Sequence, residues 1–142
     1  MNFKPVLLVA MLCGTSLPAM ADTDTQARQH FQAIADADVT AITQDYAPDA
    51  VFQWVGGPLD GVYAGTQAIG TVWGKFTRAN GRVTHQVDDL TVSENPKGAT
   101  VTANVDFMSK KNIKVRYILT YRDGKLVNEV WQIDPKRVTS SY

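Results

Sequence analysis

Glu129 is the one carboxylate whose setting in the sequence points to chemistry. Residues 126–134 alternate with the two-residue period of a β-strand, so Glu129 shares a face with the apolar Val127 and Trp131. A carboxylate on such a face needs a partner, or it marks a cavity. In a poorly hydrated cavity its pKa would rise and it could act as an acid or base. Pairing with His30 or an arginine would make it structural, and both interpretations stay open.

Two histidines are the other candidates for proton transfer. His30 lies beside Phe31 on a predicted helix, where it is either half-exposed or part of a pocket, and imidazole suits acid–base work near neutral pH. His85 alternates with Val83, and a strand histidine with satisfied hydrogen bonds is the favoured interpretation. The two histidines do not have metal-ligand spacing, and the chain has neither a phosphate loop nor a dinucleotide fingerprint. We expect no metal and no cofactor.

Large aromatic side chains are the expected lining of a binding pocket. Trp54 and Trp131 are the stronger candidates, because a large ring with one polar edge suits a ligand wall. Trp73 and Phe76 lie on the apolar stripe of a predicted helix, which slightly favours plain core packing. Tyr117 completes the set on an alternating strand. The expected ligand is a small apolar or aromatic molecule.

The remaining acidic residues give no catalytic pair. Asp88 and Asp89 are adjacent in a predicted strand, so their side chains would point to opposite faces, and a bulge or turn is the better interpretation. Asp106 lies opposite the apolar stripe of its strand, which predicts a surface or dimer-interface role.

Residues 1–21 have the layout of a secretory signal. Lys4 supplies positive charge, residues 6–12 form an apolar run, and Ala19-Met20-Ala21 is a small-x-small cleavage pattern before Asp22. A membrane anchor is the alternative, but the run is far shorter than the ~20 residues of a span. We expect cleavage, a periplasmic or secreted location, and no membrane anchor afterwards.

The mature chain would have no thiol and almost no net charge. The only cysteine is Cys13, inside the signal, so no disulfide is available. Removing Lys4 reduces the 14 Lys and Arg to 13, against 14 Asp and Glu. This balance argues against a nucleic-acid partner. The densest basic stretch, 110–116, fits a solvated hairpin edge at least as well as an anion site.

The order of the predicted elements indicates an α+β fold. The first predicted helix begins at the capping residues 22–24. A short second helix follows Asp38 and has Val39, Ile42 and Tyr46 on one face. The third helix begins at a Thr66 cap and ends at Asn80-Gly81. Strands are predicted at 50–55, 82–94, 99–109, 112–122 and 126–134. Three N-terminal helices followed by a run of strands predict helices packed on a curved, mainly antiparallel sheet.

Three segments resemble the nuclear transport factor 2-like superfamily, and within it the SnoaL-like and ketosteroid-isomerase-like proteins. They are Ala37-Asp38-Val39-Thr40-Ala41-Ile42-Thr43-Gln44-Asp45-Tyr46-Ala47-Pro48-Asp49-Ala50, then Gly65-Thr66-Gln67-Ala68-Ile69, then Tyr121-Arg122-Asp123-Gly124-Lys125-Leu126. Their order and spacing frame nearly all of the chain after residue 21. The resemblance implies one domain over residues 22–142, a cone-shaped sheet around a pocket, and a homodimer formed through the sheet.

The resemblance does not carry over the catalytic residues of these families. Aligned on ketosteroid isomerases, the position of the Asp base falls on Trp54, that of the Tyr donor on His30, and that of the Asp donor on Tyr117. Two donors therefore remain and the base is missing. The Glu-His-Trp-Asp run of many SnoaL-like proteins is Glu129-Val130-Trp131-Gln132 here, which puts their usual cyclase or hydrolase chemistry in doubt.

The leading hypothesis is an exported SnoaL-like protein that binds a small, mostly apolar ligand in the cone pocket. One alternative is a lyase or isomerase that uses Glu129 and His30. Another is a dimeric interaction module with a filled pocket. The expected ligand-binding residues are His30, Trp54, Trp73, Phe76, Tyr117, Glu129 and Trp131.

Overall fold

A computed structural model describes residue 14 and residues 22–137, and it confirms the predicted α+β class. The helices pack on a curved six-stranded sheet that is mostly antiparallel. The helices are α1 (Thr23–Ala35), α2 (Val39–Thr43) and α3 (Thr66–Asn80). The strands are β1 (Tyr46–Val55), β2 (Gly61–Ala64), β3 (Thr84–Asn95), β4 (Gly98–Met108), β5 (Asn112–Arg122) and β6 (Lys125–Ile133).

The first two helices begin at side-chain caps, as the sequence predicts. The Asp22 carboxylate accepts a hydrogen bond from the backbone N–H of Thr25 at 2.7 Å. The Asp38 carboxylate accepts one from the N–H of Ala41 at 3.1 Å. These bonds satisfy N–H groups that have no partner inside the helix, and they fix where the chain turns into it.

The predicted Thr66 cap of α3 is wrong. Gly65 is the capping residue, with φ at 84° and no side-chain cap, and Thr66 is already helical. Glycine fits there because it adopts positive φ without steric cost. The other end is confirmed, since α3 ends at Asn80 and the N–H of Gly81 donates to the carbonyl of Thr77 at 2.8 Å.

The first strand is longer than predicted, and this moves Tyr46. The prediction placed Tyr46 on the face of α2, but α2 ends at Thr43 and Tyr46 opens β1. Pro48 is tolerated within this strand because the pairing of β1 with β6 is irregular between Tyr46 and Val51. The short strand β2, in the predicted loop, was missed.

The sheet order is β2-β1-β6-β5-β4-β3. The β1–β6 pair is parallel, and the other pairs are antiparallel. Parallel pairing brings the first long strand beside the last one, with Phe52 opposite Glu129 and Trp54 opposite Trp131. Residues far apart in sequence therefore share one region of the core.

Every second residue along most of β4 and β5 is buried, which is the alternation expected of strands with one face on the core. On β6 the predicted inward position of Val127 is wrong, because Val127 is half-buried and its neighbour Leu126 is buried instead. The pairing of β5 with β6 shifts its register at Tyr121, close to this point. The buried residues of β4 and β5 include Val101, Ala103, Val105, Phe107, Val115, Tyr117, Leu119 and Tyr121.

The predicted surface position of Asp106 is wrong. Its exposed fraction is 7%, and its carboxylate forms an ion pair with Arg137. The segment after β6 folds back onto β5, where the N–H of Asp134 donates to the carbonyl of Lys114 at 2.9 Å and Lys114 Nζ donates to the carbonyl of Arg137 at 2.8 Å. This return of the chain covers Asp106, and no pattern within β4 could reveal it.

The structure confirms one of the two predictions for polar residues of β3, whereas the hydrogen bonds expected for His85 are not found within the described residues. The register shifts between Asp88 and Thr91, and Asp89 has φ at 53°, so the predicted irregularity is present. His85 is half-buried, and its ring stacks at 6.3 Å from that of Phe107. Partial desolvation lowers the pKa of His85, opposed by the negative charge of Asp36.

The predicted signal, apart from Gly14, lies outside the described residues, and export stays a prediction. Within residues 22–137, every helix is too short or too polar to span a bilayer. The homodimer through the sheet also stays a prediction, which light scattering would test.

Candidate functional site

The interior of the cone is filled with aromatic side chains. Trp131 is fully buried, and its ring stacks on Trp54 with centroids 4.6 Å apart and on Phe107 at 5.1 Å. The rings of Phe76, at 5.3 Å, and Trp73, at 5.7 Å, meet it edge to face. Such ring pairs contribute beyond the area they bury. The centre of the fold is therefore a packed aromatic cluster rather than an open cavity.

An apolar recess of about 390 Å³ remains at the edge of this cluster. It lies between α3, the β1–β2 loop, and the ends of β5 and β6. We call it the aromatic recess. Trp54, Phe76 and Trp131 border it, together with Pro58, Leu59, Lys75, Ala79, Asn80, Lys111, Ile113 and Ile133.

The β1–β2 loop that borders the aromatic recess is held by its own hydrogen bonds. The N–H of Gly56 donates to the Asp60 carboxylate at 2.7 Å, and the Tyr63 hydroxyl donates to the carbonyl of Leu59 at 2.6 Å. A Cβ at Gly57 would lie 3.0 Å from Cδ1 of Ile133, so a larger residue would push against the recess wall. This wall is thus preformed.

The indole N–H of Trp131 has no hydrogen-bond partner within the described part of the chain, although it is buried. An unsatisfied buried donor costs about 1–3 kcal/mol, so such groups are rare. Because Trp131 borders the aromatic recess, a ligand with a hydrogen-bond acceptor could supply the missing partner.

Glu129 lies beside the aromatic cluster at the centre of a buried polar network, which we call the Glu129 cluster. Its Oε2 accepts from the Tyr117 hydroxyl at 2.6 Å and contacts Nε2 of His30 at 2.6 Å. Its Oε1 accepts from the Tyr46 hydroxyl, to which the indole N–H of Trp73 donates at 2.9 Å. The exposed fraction of Glu129 is 0%, and both of its oxygens are occupied.

Burial and charge keep the tyrosines of this region protonated. Burial raises the pKa of Tyr46 and of Tyr117 well above the usual value, and the negative charge of Glu129 raises both further. The same two causes raise the pKa of Tyr121. A protonated hydroxyl donates, so the cluster gives Glu129 what a buried carboxylate requires.

His30 is the member of the cluster that borders a surface groove. This groove, about 350 Å³, lies between α1 and α2 and is also lined by Asp36, Asp38 and Asp45. Nε2 of His30 is committed to Glu129, and Nδ1 has no partner within the described residues. The Glu129–His30 pair therefore meets solvent on the helical side of the fold, away from the aromatic recess.

The structure divides the seven predicted ligand-binding residues into two groups. Trp54, Phe76 and Trp131 border the aromatic recess. His30, Trp73, Tyr117 and Glu129 belong to the Glu129 cluster and do not border the recess. Sequence reasoning missed Tyr46 in the cluster and Leu59, Lys75 and Lys111 at the recess. Lys111 lies in the basic stretch for which an anion site was one interpretation.

A larger depression lies at the opposite end of the strands. It has a volume of about 550 Å³ and is bordered by the β3–β4 and β5–β6 turns, including Asn95, Lys97 and Asp123. These side chains are exposed and polar, so the depression lacks the apolar walls of a typical ligand site. Residues 22–137 also contain no group of three or more acidic or histidine side chains that could hold a metal ion.

A cone-shaped sheet over three helices, with an aromatic recess at one end, defines a protein of the nuclear transport factor 2-like superfamily. The chain belongs to the SnoaL-like domain family, whose model matches residues 27–129. No curated protein matches the sequence.

Solved structures show the same fold at low sequence identity. A nuclear transport factor 2-like protein of unknown function from Pseudomonas putida has a TM-score of 0.67 and 20% identity, over 80% of this chain and 86% of that one. A candidate calcium/calmodulin-dependent protein kinase II association domain from Xanthomonas campestris has a TM-score of 0.66 and 19% identity, over 86% of this chain and 94% of that one. A candidate polyketide cyclase from Sinorhizobium meliloti has a TM-score of 0.52 and 22% identity, over 75% of this chain and 92% of that one.

Proposed function

We propose that the protein binds a small, mostly apolar molecule in the aromatic recess. The observation that carries this proposal is an apolar recess of about 390 Å³ that is bordered by Trp131, a residue whose buried indole N–H has no partner among the described residues. Small-molecule sites typically have volumes of about 300–1,000 Å³, apolar walls and few polar groups. The expected ligand therefore has an apolar body and an acceptor atom that reaches Trp131.

Matched probes test the role of the indole N–H. Acetylnaphthalene carries a carbonyl acceptor, and ethylnaphthalene has nearly the same shape without one. We expect the ketone to bind about five- to tenfold more tightly, because a net hydrogen bond contributes about 1 kcal/mol. In Trp131→Phe this preference should disappear, as measured by fluorescence titration.

Trp73→Phe is the matched control, because Trp73 is equally buried but its N–H donates to Tyr46. It should lower thermal stability and leave the probe preference unchanged. Equal affinities of the two probes for the unmodified protein would contradict the proposed role of Trp131. If neither of the two probes binds, the recess is not a binding site and the proposed function is contradicted.

Acid–base catalysis by His30 is a second candidate function. The contact of 2.6 Å between Nε2 and the Glu129 carboxylate favours it, because a buried carboxylate orients an imidazole for proton transfer. The reaction would take place in the groove between α1 and α2, since the Glu129 oxygens are occupied. This revises the hypothesis in which Glu129 itself acts in the pocket.

His30→Gln tests this second candidate. Glutamine can still donate to Glu129, but it cannot take up a proton near neutral pH. Any turnover discovered for the protein should fall at least about a hundredfold, the lower limit for loss of general acid–base catalysis. Unchanged turnover would exclude His30. Gln32→Glu on the same groove is the control for a general change of the surface.

A further inference from the structure

Two lysines border the aromatic recess from different elements. Lys75 lies on α3, and Lys111 lies in the turn between β4 and β5. Both are exposed, and neither side-chain ammonium group has an ion pair or a hydrogen bond within residues 22–137. Among the described residues that line the recess, these lysines are the charged groups, and no carboxylate accompanies them.

This concentration of positive charge is local. The whole chain has 14 basic and 14 acidic residues, so the lysines do not reflect a basic protein. Two ammonium groups beside low-dielectric aromatic walls create a positive potential that attracts an anion more strongly than the same charges on an open surface would. Their methylene stems can also extend along apolar surface while the charges stay in water.

We propose that the ligand is an amphiphilic anion, with an apolar body in the aromatic recess and a carboxylate or sulfonate between Lys75 and Lys111. This inference rests on the proposed function, because it assigns a ligand class to the same recess. A singly charged acid group at the mouth offsets one of the two positive charges and offers oxygen acceptors to both ammonium groups, and the apolar body covers Trp54 and Phe76. The binding energy then divides into a salt-sensitive part at the lysines and a salt-insensitive part at the aromatic walls.

Two fluorescent probes separate these parts. Anilinonaphthalene sulfonate carries one negative charge, and phenylnaphthylamine has a similar ring system without charge. In the double variant Lys75→Gln/Lys111→Gln, we expect the affinity for the sulfonate to fall about five- to tenfold, as for two exposed ion pairs. The affinity for the neutral probe should stay within about twofold, because the apolar walls are unchanged. Added salt should weaken the sulfonate complex of the unmodified protein and have little effect on that of the variant.

The double variant Lys97→Gln/Lys125→Gln is the matched control. It removes the same charge at exposed positions that do not border the recess. It should leave both affinities unchanged. Equal loss of sulfonate binding in the two double variants would overturn the inference, because net charge rather than position would then be responsible.

Two further outcomes distinguish this inference from the proposed function. If both probes bind with one-to-one stoichiometry and the recess lysines have no effect, the recess binds ligands but the anionic class is wrong. If neither probe binds in a saturable way, the proposed function fails together with the inference. Trp54→Ala identifies the location, because it should weaken both probes equally by removing a wall of the recess.

Discussion

The protein should lose about 4 kcal/mol of stability at about pH 11 relative to pH 7, through three buried tyrosines alone. Burial, followed by the negative charge of Glu129, raises the pKa of Tyr46, Tyr117 and Tyr121 above the ordinary value of 10.0. In the unfolded chain these hydroxyls ionise at about pH 10, whereas in the folded protein they stay protonated. High pH therefore favours the unfolded state.

The sign follows from which state binds more protons. A raised folded-state pKa gives stability that is complete below the unfolded-state pKa of about 10 and is lost as pH rises from there towards the folded-state pKa. Each tyrosine contributes a loss of about 1.4 kcal/mol per pH unit within this window. Three of them acting together make the decline steep.

Urea unfolding at a series of pH values from about 8 to 11 measures this loss directly. The absorbance of tyrosinate should appear together with unfolding, because the folded state protects the three hydroxyls. In Tyr117→Phe the decline with pH should be about one third shallower, whatever the stability of this variant at pH 7. Unchanged stability between about pH 10 and pH 11 would show that these hydroxyls are not sealed from water.

The second large effect concerns Glu129. Glu129→Gln should lower the free energy of unfolding by about 3 kcal/mol, although the side chain keeps its size. The amide oxygen can still accept from His30 and Tyr117, but the NH₂ group faces the Tyr46 hydroxyl, which donates to the carboxylate in the native protein. The proton of Tyr46 is then left without an acceptor.

Glu94→Gln is the matched control, because Glu94 is the only other glutamate and lies exposed at the end of β3. The free energy of unfolding of the Glu94→Gln variant should differ from that of the unmodified protein by less than about 0.5 kcal/mol, as is usual for a surface substitution. Denaturant unfolding at neutral pH compares the two variants. A similarly small effect for Glu129→Gln would mean that a water molecule enters the Glu129 cluster and supplies the acceptor that the Tyr46 hydroxyl has lost.

The sequence predicted the parts of this fold that follow from local periodicity. Alternation identified β3 to β6 within two residues at each end, and the stripe of Trp73 and Phe76 identified α3. It also singled out Glu129 as a buried carboxylate that needs a partner, with His30 as one of two possibilities. These predictions succeeded because burial on one face leaves a repeating pattern in the chain.

The sequence could not predict contacts that depend on which strands become neighbours. Tyr46 reaches Glu129 because β1 pairs in parallel with β6, and nothing near Tyr46 encodes that pairing. Its spacing from Ile42 fitted a helical face equally well, although α2 ends sooner. Local periodicity also could not place Lys75 and Lys111 at one recess, since the aromatic recess is assembled from α3 and a turn between two strands.

The parallel pair of β1 and β6 also constrains the order of events during synthesis. Strand β6 supplies Glu129 and Trp131, and it lies between β1 and β5 in the sheet. Until β6 leaves the ribosome, β1 and β2 have no neighbour through which to join β3, β4 and β5. Contacts between distant parts of a chain close slowly because the loop entropy is lost first. Strands β1 and β2 should therefore remain separate from the rest of the sheet and sensitive to protease until the last strand emerges, and ribosome-stalled chains ending before residue 125 would show this state.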